Sequence, residues 1–290
     1  MAVGVALALV AALGFALGSV LEKRGVDHVP PFSLRELVPV ALSLLSSGWW
    51  LAGAIISVAA VVPFILAYSY ISISIVQSVG VAGVVLLIVI SRAGFGEHLQ
   101  WSELSGLGLA VVSVILVSLS LTRSADASGG HYATRAVIVA MILTIVVITG
   151  VIVGRNLWRL DDSFMYGSVS GLLYGLAGLG EKGLSVLIAR RGWLGMMDHM
   201  FATPFPYVLI SSWLLGLVVF QLGIQRCRVG VVAPLSAMVA SVYLVAVGTP
   251  VFGEQLPREI AELVFRLVGF AGIVIGSAIV GWGGTRIRAE

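Results

Sequence analysis

One cysteine, Cys227, stands in a chain of 290 residues, so no internal disulfide can form. Charge is almost as scarce. Asp, Glu, Lys and Arg together make up 11 % of the residues, whereas a soluble domain carries about 25 %. Four scattered histidines show no metal-ligand spacing. A His-Glu-x-x-His pair, a Walker loop and a dinucleotide-binding glycine pattern are all missing. With no nucleophile–base spacing either, the sequence points away from an enzyme and from any cofactor. The bases, almost all arginine, lie singly or in pairs between apolar runs. That distribution argues against nucleic acid as a partner.

What is abundant is apolar. Hydrophobic residues make up 59 % of the chain, and mean hydropathy is +1.08. Several runs reach the length of about 20 residues that an α-helix needs to cross the hydrocarbon of a bilayer. The alternating pattern of a membrane β-barrel is absent. The fold class expected is therefore an all-α polytopic membrane protein. Residues 1–21 carry no charge and lack the basic start and small-residue cleavage site of a signal peptide. They read as a retained first helix.

Nine spanning helices are expected, over 2–21, 49–70, 73–91, 103–121, 136–154, 164–189, 205–223, 228–248 and 263–283. The stretch 32–48 holds about ten apolar residues broken by Pro39. It reads as a short interfacial or re-entrant helix, or as a tenth span if its flanks join it. With nine spans the loop bases divide ten against seven. The larger set includes Lys23, Arg24, Arg155, Arg226 and Arg228. The positive-inside rule then puts the N terminus outside and the C terminus inside. A plasma-membrane, bacterial location is expected.

The chain also repeats itself. Phe95, Gly96, Glu97 and Leu99 recur as Phe252, Gly253, Glu254 and Leu256. Phe15, Glu22 and Lys23 recur as Tyr174, Glu181 and Lys182. The offset is five helices, an odd number, so the halves must be inverted across the membrane. The expected organisation is a first repeat over 1–122, a linker with one intervening helix over 123–162, and a second repeat over 163–290. Inverted repeats are a recurring architecture of secondary transporters, with the site between the repeats.

The candidate site follows from helical spacing. Walking back from Glu181 by threes and fours meets Gly178, Ala177, Tyr174 and Gly171; from Glu22 it meets Ser19, Gly18, Phe15 and Ala11. Each acid thus continues a small-residue face bearing one aromatic. A carboxylate at membrane depth must be paired, hydrated or protonated. Glu181 reads either as a binding group in a translocation path or as part of an interfacial break at Glu181–Gly183. Glu22, at the end of the first helix, reads as a site residue or a solvated terminus. Glu97 and Glu254, each after a glycine, read as turn and capping residues. Gln77 reads as pore-lining or as helix–helix glue, and Tyr68 and Tyr70 as site residues or interfacial anchors. Pro63 and Pro234 interrupt helices and free carbonyls. The candidate substrate- or ion-binding set is Glu181, Glu22, Gln77, Tyr174, Lys182 and Tyr68. No metal ligands are assigned.

The succession GFALGSVLEKRG (14–25), GWWLAG (48–53), AYSYISISIVQSVGV (67–81) and GFGEHL (94–99) resembles the drug/metabolite transporter superfamily. So do GLLYGLAGLGEKG (171–183) and PVFGEQL (250–256). Within it the chain is most similar to the NIPA-like magnesium transporter branch and related actinobacterial proteins. Relatives often have Gln-Pro or Thr-Pro where this chain has Gln77–Ser78, and many members have ten helices. The resemblance implies secondary transport without fixing magnesium. If Lys182 lies in the path, it opposes a divalent cation and favours a small polar organic solute, with a glutamate in proton coupling. That solute is the expected substrate. Mg²⁺ or another divalent cation is the alternative, and a non-transport accessory or lipid-handling role is the third. Expected partners are the substrate and membrane lipids; monomer and homodimer are equally compatible with the sequence.

Overall fold

The computed structural model describes residues 2–27, 37–71, 73, 76–77, 79–80, 101–119, 134–158, 161–253 and 259–283. Every regular element among these residues is helical. The long helices are α1 (Ala2–Val26), α3 (Gly48–Tyr70), α4 (Trp101–Leu119), α5 (Thr134–Trp158), α6 (Asp162–His199), α7 (Phe205–Arg226), α8 (Val229–Tyr243) and α9 (Ile260–Gly283); α2 (Leu37–Ser46) is short. Six helical stretches among the described residues are long and apolar enough to cross a membrane. α5 turns Ile142, Ile145 and Val146 outward, more than half exposed. Such a face is stable only against lipid, so the protein is a multi-pass membrane protein.

At ten residues α2 rises only about 15 Å, half the hydrocarbon thickness. It is short, as the broken apolar run around Pro39 implies. The expected helix over 73–91 lies almost wholly outside the described residues, as do Glu97 and Glu254. Of the second Phe-Gly-Glu motif, Phe252 is fully buried and Gly253 takes φ 66, a left-handed turn that glycine adopts without strain.

Three helices differ from their expected bounds. α1 continues through Glu22 and Lys23 to Val26, so Glu22 lies one turn inside a helix rather than at its solvated end. α6 does not break at Glu181–Gly183. It runs to Gly192, where φ 69 and ψ 179 interrupt it, and then on to His199. α8 is followed by a π-helical turn, Leu244–Gly248, and the short helical segment Thr249–Val251.

α6 is the axis of the bundle. From Met165 to Leu187 it is buried on almost every side, and α3, α5, α7 and α8 all pack on it. Glycine permits this crowding. A Cβ on Gly171 would lie 2.6 Å from the Ser236 carbonyl oxygen, and one on Gly180 would lie 2.7 Å from that of Phe205. The same device joins α1 to α3, where a Cβ on Gly53 would lie 2.6 Å from the Gly18 carbonyl oxygen.

Helix directions follow from polar contacts at one end of the bundle. Lys23, near the C-terminal end of α1, donates to the Ile224 carbonyl near the C-terminal end of α7 (2.9 Å) and pairs with Asp27 (2.7 Å). Arg226 of α7 donates to the Tyr166 hydroxyl near the start of α6 (2.8 Å). Arg155 at the end of α5 pairs with Asp162 (2.8 Å). The end of α1 therefore lies beside the start of α6, and the two helices run in opposite directions.

Candidate functional site

A cavity of about 220 Å³ lies between α1, α3, α6, α7 and α8, with Gln77 and Gly80 also in its described wall. α1 presents Ala12, Phe15, Ala16, Ser19 and Glu22 to it, residues three or four apart. α6 presents Tyr174, Ala177, Gly178 and Glu181 at the same spacing. Of the two faces read from the sequence, Ser19 and Phe15 with Glu22, and Gly178, Ala177 and Tyr174 with Glu181, line this one space, whereas Gly18 packs on α3 and Gly171 on α8. Phe64, Trp213 and Phe220 add aromatic walls.

Glu22 is 3 % exposed and is held at both oxygens. The Ser57 hydroxyl donates to Oε1 at 2.9 Å, and the Gln221 amide donates to Oε2. These two donors, from α3 and α7, replace the water that an acid at a helix end would otherwise need. Glu181 is treated differently. It is 5 % exposed, lines the cavity, and has no hydrogen-bond partner among the described residues. Glu181 thus differs from Glu22 in having no protein donor among the described residues while lining the same cavity.

Gln221, which holds Glu22, follows Phe220, whose ring meets Tyr174 edge-on at 6.1 Å. Glu181 lies about two turns beyond Tyr174 along α6, a rise of about 10 Å along the helix axis.

Lys182 points elsewhere. One residue round the helix from Glu181, it is completely buried and absent from the cavity wall. Its Nζ lies 3.5 Å from the Tyr68 carbonyl oxygen and 5.9 Å from the centre of the Tyr68 ring. Tyr68 is buried too, rather than anchored at the membrane surface, whereas Tyr70 is exposed. The Tyr68 hydroxyl accepts from Gln77 Nε2 at 2.6 Å, and Ser241 donates to Gln77 Oε1 at 2.7 Å. Of the six candidate residues, Glu22, Glu181, Tyr174 and Gln77 line the cavity; Tyr68 and Lys182 stand behind Gln77.

The lining contains two carboxyl groups, amide and hydroxyl oxygens, and no lysine or arginine among its described residues. No group of three His, Cys, Asp or Glu side chains that could chelate a metal occurs among the described residues. The structure adds Gln221, Ser57 and Ser241 as polar partners the sequence reading did not single out. Gln221 carried a legible signal, a lone amide inside the apolar run LLGLVVFQLG. The serines carried none, because a serine in a membrane helix commonly bonds its own backbone.

The chain is similar to the probable magnesium transporter NIPA9 of Arabidopsis thaliana. The two are 24 % identical over 289 residues, which cover 95 % of this chain and 81 % of that protein. No protein-family model and no solved structure matches the chain.

Proposed function

We propose that the protein is a secondary transporter of a divalent cation of the Mg²⁺ class, with the cavity between α1 and α6 as its binding site. The observation that carries this is the position of Lys182. An organic anion or zwitterion was the favoured substrate only if Lys182 reached the path. With its ammonium turned to Tyr68, the described lining of the cavity is left with two carboxyl groups and further oxygen ligands, the hard ligands such cations take. The similarity to a magnesium transporter over nearly the whole chain supports the same reading.

The inverted-repeat reading fits this site. α1 packs on α3 as α6 packs on α7, and α1 runs against α6. Glu22 and Glu181 then occupy equivalent places in halves 1–122 and 163–290, and both line the cavity. Alternating access would expose them in turn. Lys23, Arg24, Arg155 and Arg226 gather at one end of the bundle, which under the positive-inside rule is cytoplasmic.

The five aromatic walls support a second reading, an organic cation, since aromatic faces attract positive charge. Mg²⁺ flux into proteoliposomes, measured on the wild type, Glu22→Gln and Glu181→Gln, separates these readings. A contact to a charged group is worth about 1.5–3 kcal/mol, so each variant should lose roughly ten- to a hundredfold in rate or affinity. Flux insensitive to both substitutions would remove the acids from the site. Absence of flux in correctly inserted vesicles would end the divalent reading and leave organic cations, then a non-transport role, to be tested the same way.

A further inference from the structure

Two lysines make the same contact in different parts of the bundle. The helices they reach, α3 and α7, end alike. The Ile71 amide closes α3 on the Ala67 carbonyl, and the Cys227 amide closes α7 on the Gly223 carbonyl. The next carbonyl along each helix, of Tyr68 and of Ile224, lies two residues short of the helix end. Carbonyls in a last helical turn lack donors from their own helix and carry partial negative charge. Each of these two receives a lysine. Lys182 Nζ lies 3.5 Å from the Tyr68 oxygen, and Lys23 Nζ donates to the Ile224 oxygen at 2.9 Å.

The contacts cross between the two halves read from the sequence. Lys23 is on α1 and reaches α7; Lys182 is on α6 and reaches α3. The helix pairs that carry them share a register. A Cβ on Gly14 of α1 would lie 2.8 Å from Ala60 Cβ of α3, and a Cβ on Gly216 of α7 would lie 3.3 Å from Leu173 Cβ of α6. Lys23 stands nine residues beyond Gly14, and Lys182 nine beyond Leu173. Tyr68 stands eight residues beyond Ala60, and Ile224 eight beyond Gly216. The lysines are therefore counterparts by position as well as by contact. They act toward opposite ends of α1. Lys23 is in its last turn, whereas the end of α3 lies beside its first turn, where a Cβ on Gly4 would lie 2.9 Å from Tyr70 Cβ.

Behind each contact stands a residue of the cavity wall. Ile224 is one turn beyond Gln221, whose amide donates to Glu22. The Tyr68 hydroxyl accepts from Gln77, which in turn accepts from Ser241. Glu22, Gln77 and Ser241 line the cavity, and neither lysine is in its described lining. We propose that Lys23 and Lys182 are a matched pair of positioning residues. Each fixes the end of a helix from the opposite half and thereby holds a polar group of the cavity in place: Glu22 through Gln221, and Gln77 through Tyr68. The transport reading above supplies the function these groups serve. The acid–base neighbours Glu22–Lys23 and Glu181–Lys182 then divide one task, the acid facing the cavity and the base holding the other half against it.

Lys23→Met and Lys182→Met keep most of the side chain and remove its donor. In proteoliposomes each should raise the KM for Mg²⁺ severalfold and change the maximal rate less. A lysine acting only through its charge predicts the opposite sign, because deleting it favours a cation in the cavity. A fall in KM would overturn the proposal. Double-variant cycles separate positioning from general stability. In Tyr68→Phe the route from Lys182 to Gln77 is already cut, so adding Lys182→Met should raise KM little further. Lys23→Met added to Gln221→Leu should behave alike. KM increases that multiply in full in both cycles would show that the lysines do not act through these partners. If Lys182→Met does not fold, the Lys23 cycle decides, since Lys23 is partly exposed and less of the core depends on it. The same cycles read as melting in detergent, with no cation present, should give non-additive shifts; additive shifts in both would overturn the proposal. Absence of Mg²⁺ flux in the wild type would end the divalent reading and leave the melting cycles to decide this one.

Discussion

Gly53→Ala tests the joint on which Glu22 depends. The added methyl carbon would lie 2.6 Å from the Gly18 carbonyl oxygen and 2.7 Å from the Glu22 amide nitrogen. Both are backbone atoms of α1, so no side chain can swing aside. Restoring ordinary van der Waals contact moves α1 and α3 apart by about 0.7 Å. The Ser57–Glu22 bond, 2.9 Å in the wild type, then stretches to about 3.6 Å, which is no longer a hydrogen bond. Overpacking costs about 1–3 kcal/mol, and losing a hydrogen bond to a charged group adds about 1.5–3 kcal/mol. Better helix propensity returns at most about 1 kcal/mol. The net expectation is a loss of about 1.5–5 kcal/mol. Gly150→Ala is the matched comparison, because a Cβ there, inside α5, meets nothing within 4 Å. It should gain up to about 1 kcal/mol. The assay is the folded fraction surviving a temperature series in detergent, read by size exclusion, with flux measured on the same preparations. Gly53→Ala surviving as well as Gly150→Ala would refute the close approach of α1 and α3.

Two further outcomes follow from polar contacts behind and beside the cavity. Tyr68→Phe removes the hydroxyl that accepts from Gln77, so it should leave the fold intact, lower flux and raise KM, at a stability cost of about 1 kcal/mol. An unchanged KM would mean that Gln77 holds its place without Tyr68. Lys23→Met removes the tie from α1 to the Ile224 carbonyl. Cys227, the chain's one cysteine, lies three residues on and is partly buried. Its labelling by a maleimide should therefore speed up several-fold, and an unchanged rate would show that this end does not depend on Lys23.

The sequence was most legible where its periodicity met lipid. Long apolar runs placed α3, α5, α7 and α9 within a few residues, because exposure to hydrocarbon leaves little choice of composition. The small-residue faces ending at Glu22 and Glu181 were legible for a related reason. Three-and-four spacing fixes which residues share a side, so Phe15 and Glu22, and Tyr174 and Glu181, had to line the same space if either did. Direction round a single helix was harder. Glu181 and Lys182 are neighbours in the chain, and only the packing of α3 against α6 decides which of them meets the cavity. The depth of Glu22 was hidden for the same kind of reason. Its two donors come from Ser57 and Gln221, on helices far along the chain, and nothing local to GSVLEKRG announces them. The π-helical turn after Tyr243 has no sequence marker that periodicity could register.

The burial of α6 has a bearing on how the protein is made. Six glycines, a glutamate and a lysine fall within its enclosed stretch, residues 165–187. Emerging from the ribosome, such a segment partitions into lipid poorly, because each charge is unfavourable there and glycine adds little apolar area. α5, just before it, is a run of aliphatic residues with no charge between Arg135 and Arg155 and inserts on its own merits. Biogenesis would then run out of register with architecture: the helix at the heart of the folded bundle is the one least able to enter the membrane unaided. Its stable insertion then depends on α7 and α8, the helices that enclose it.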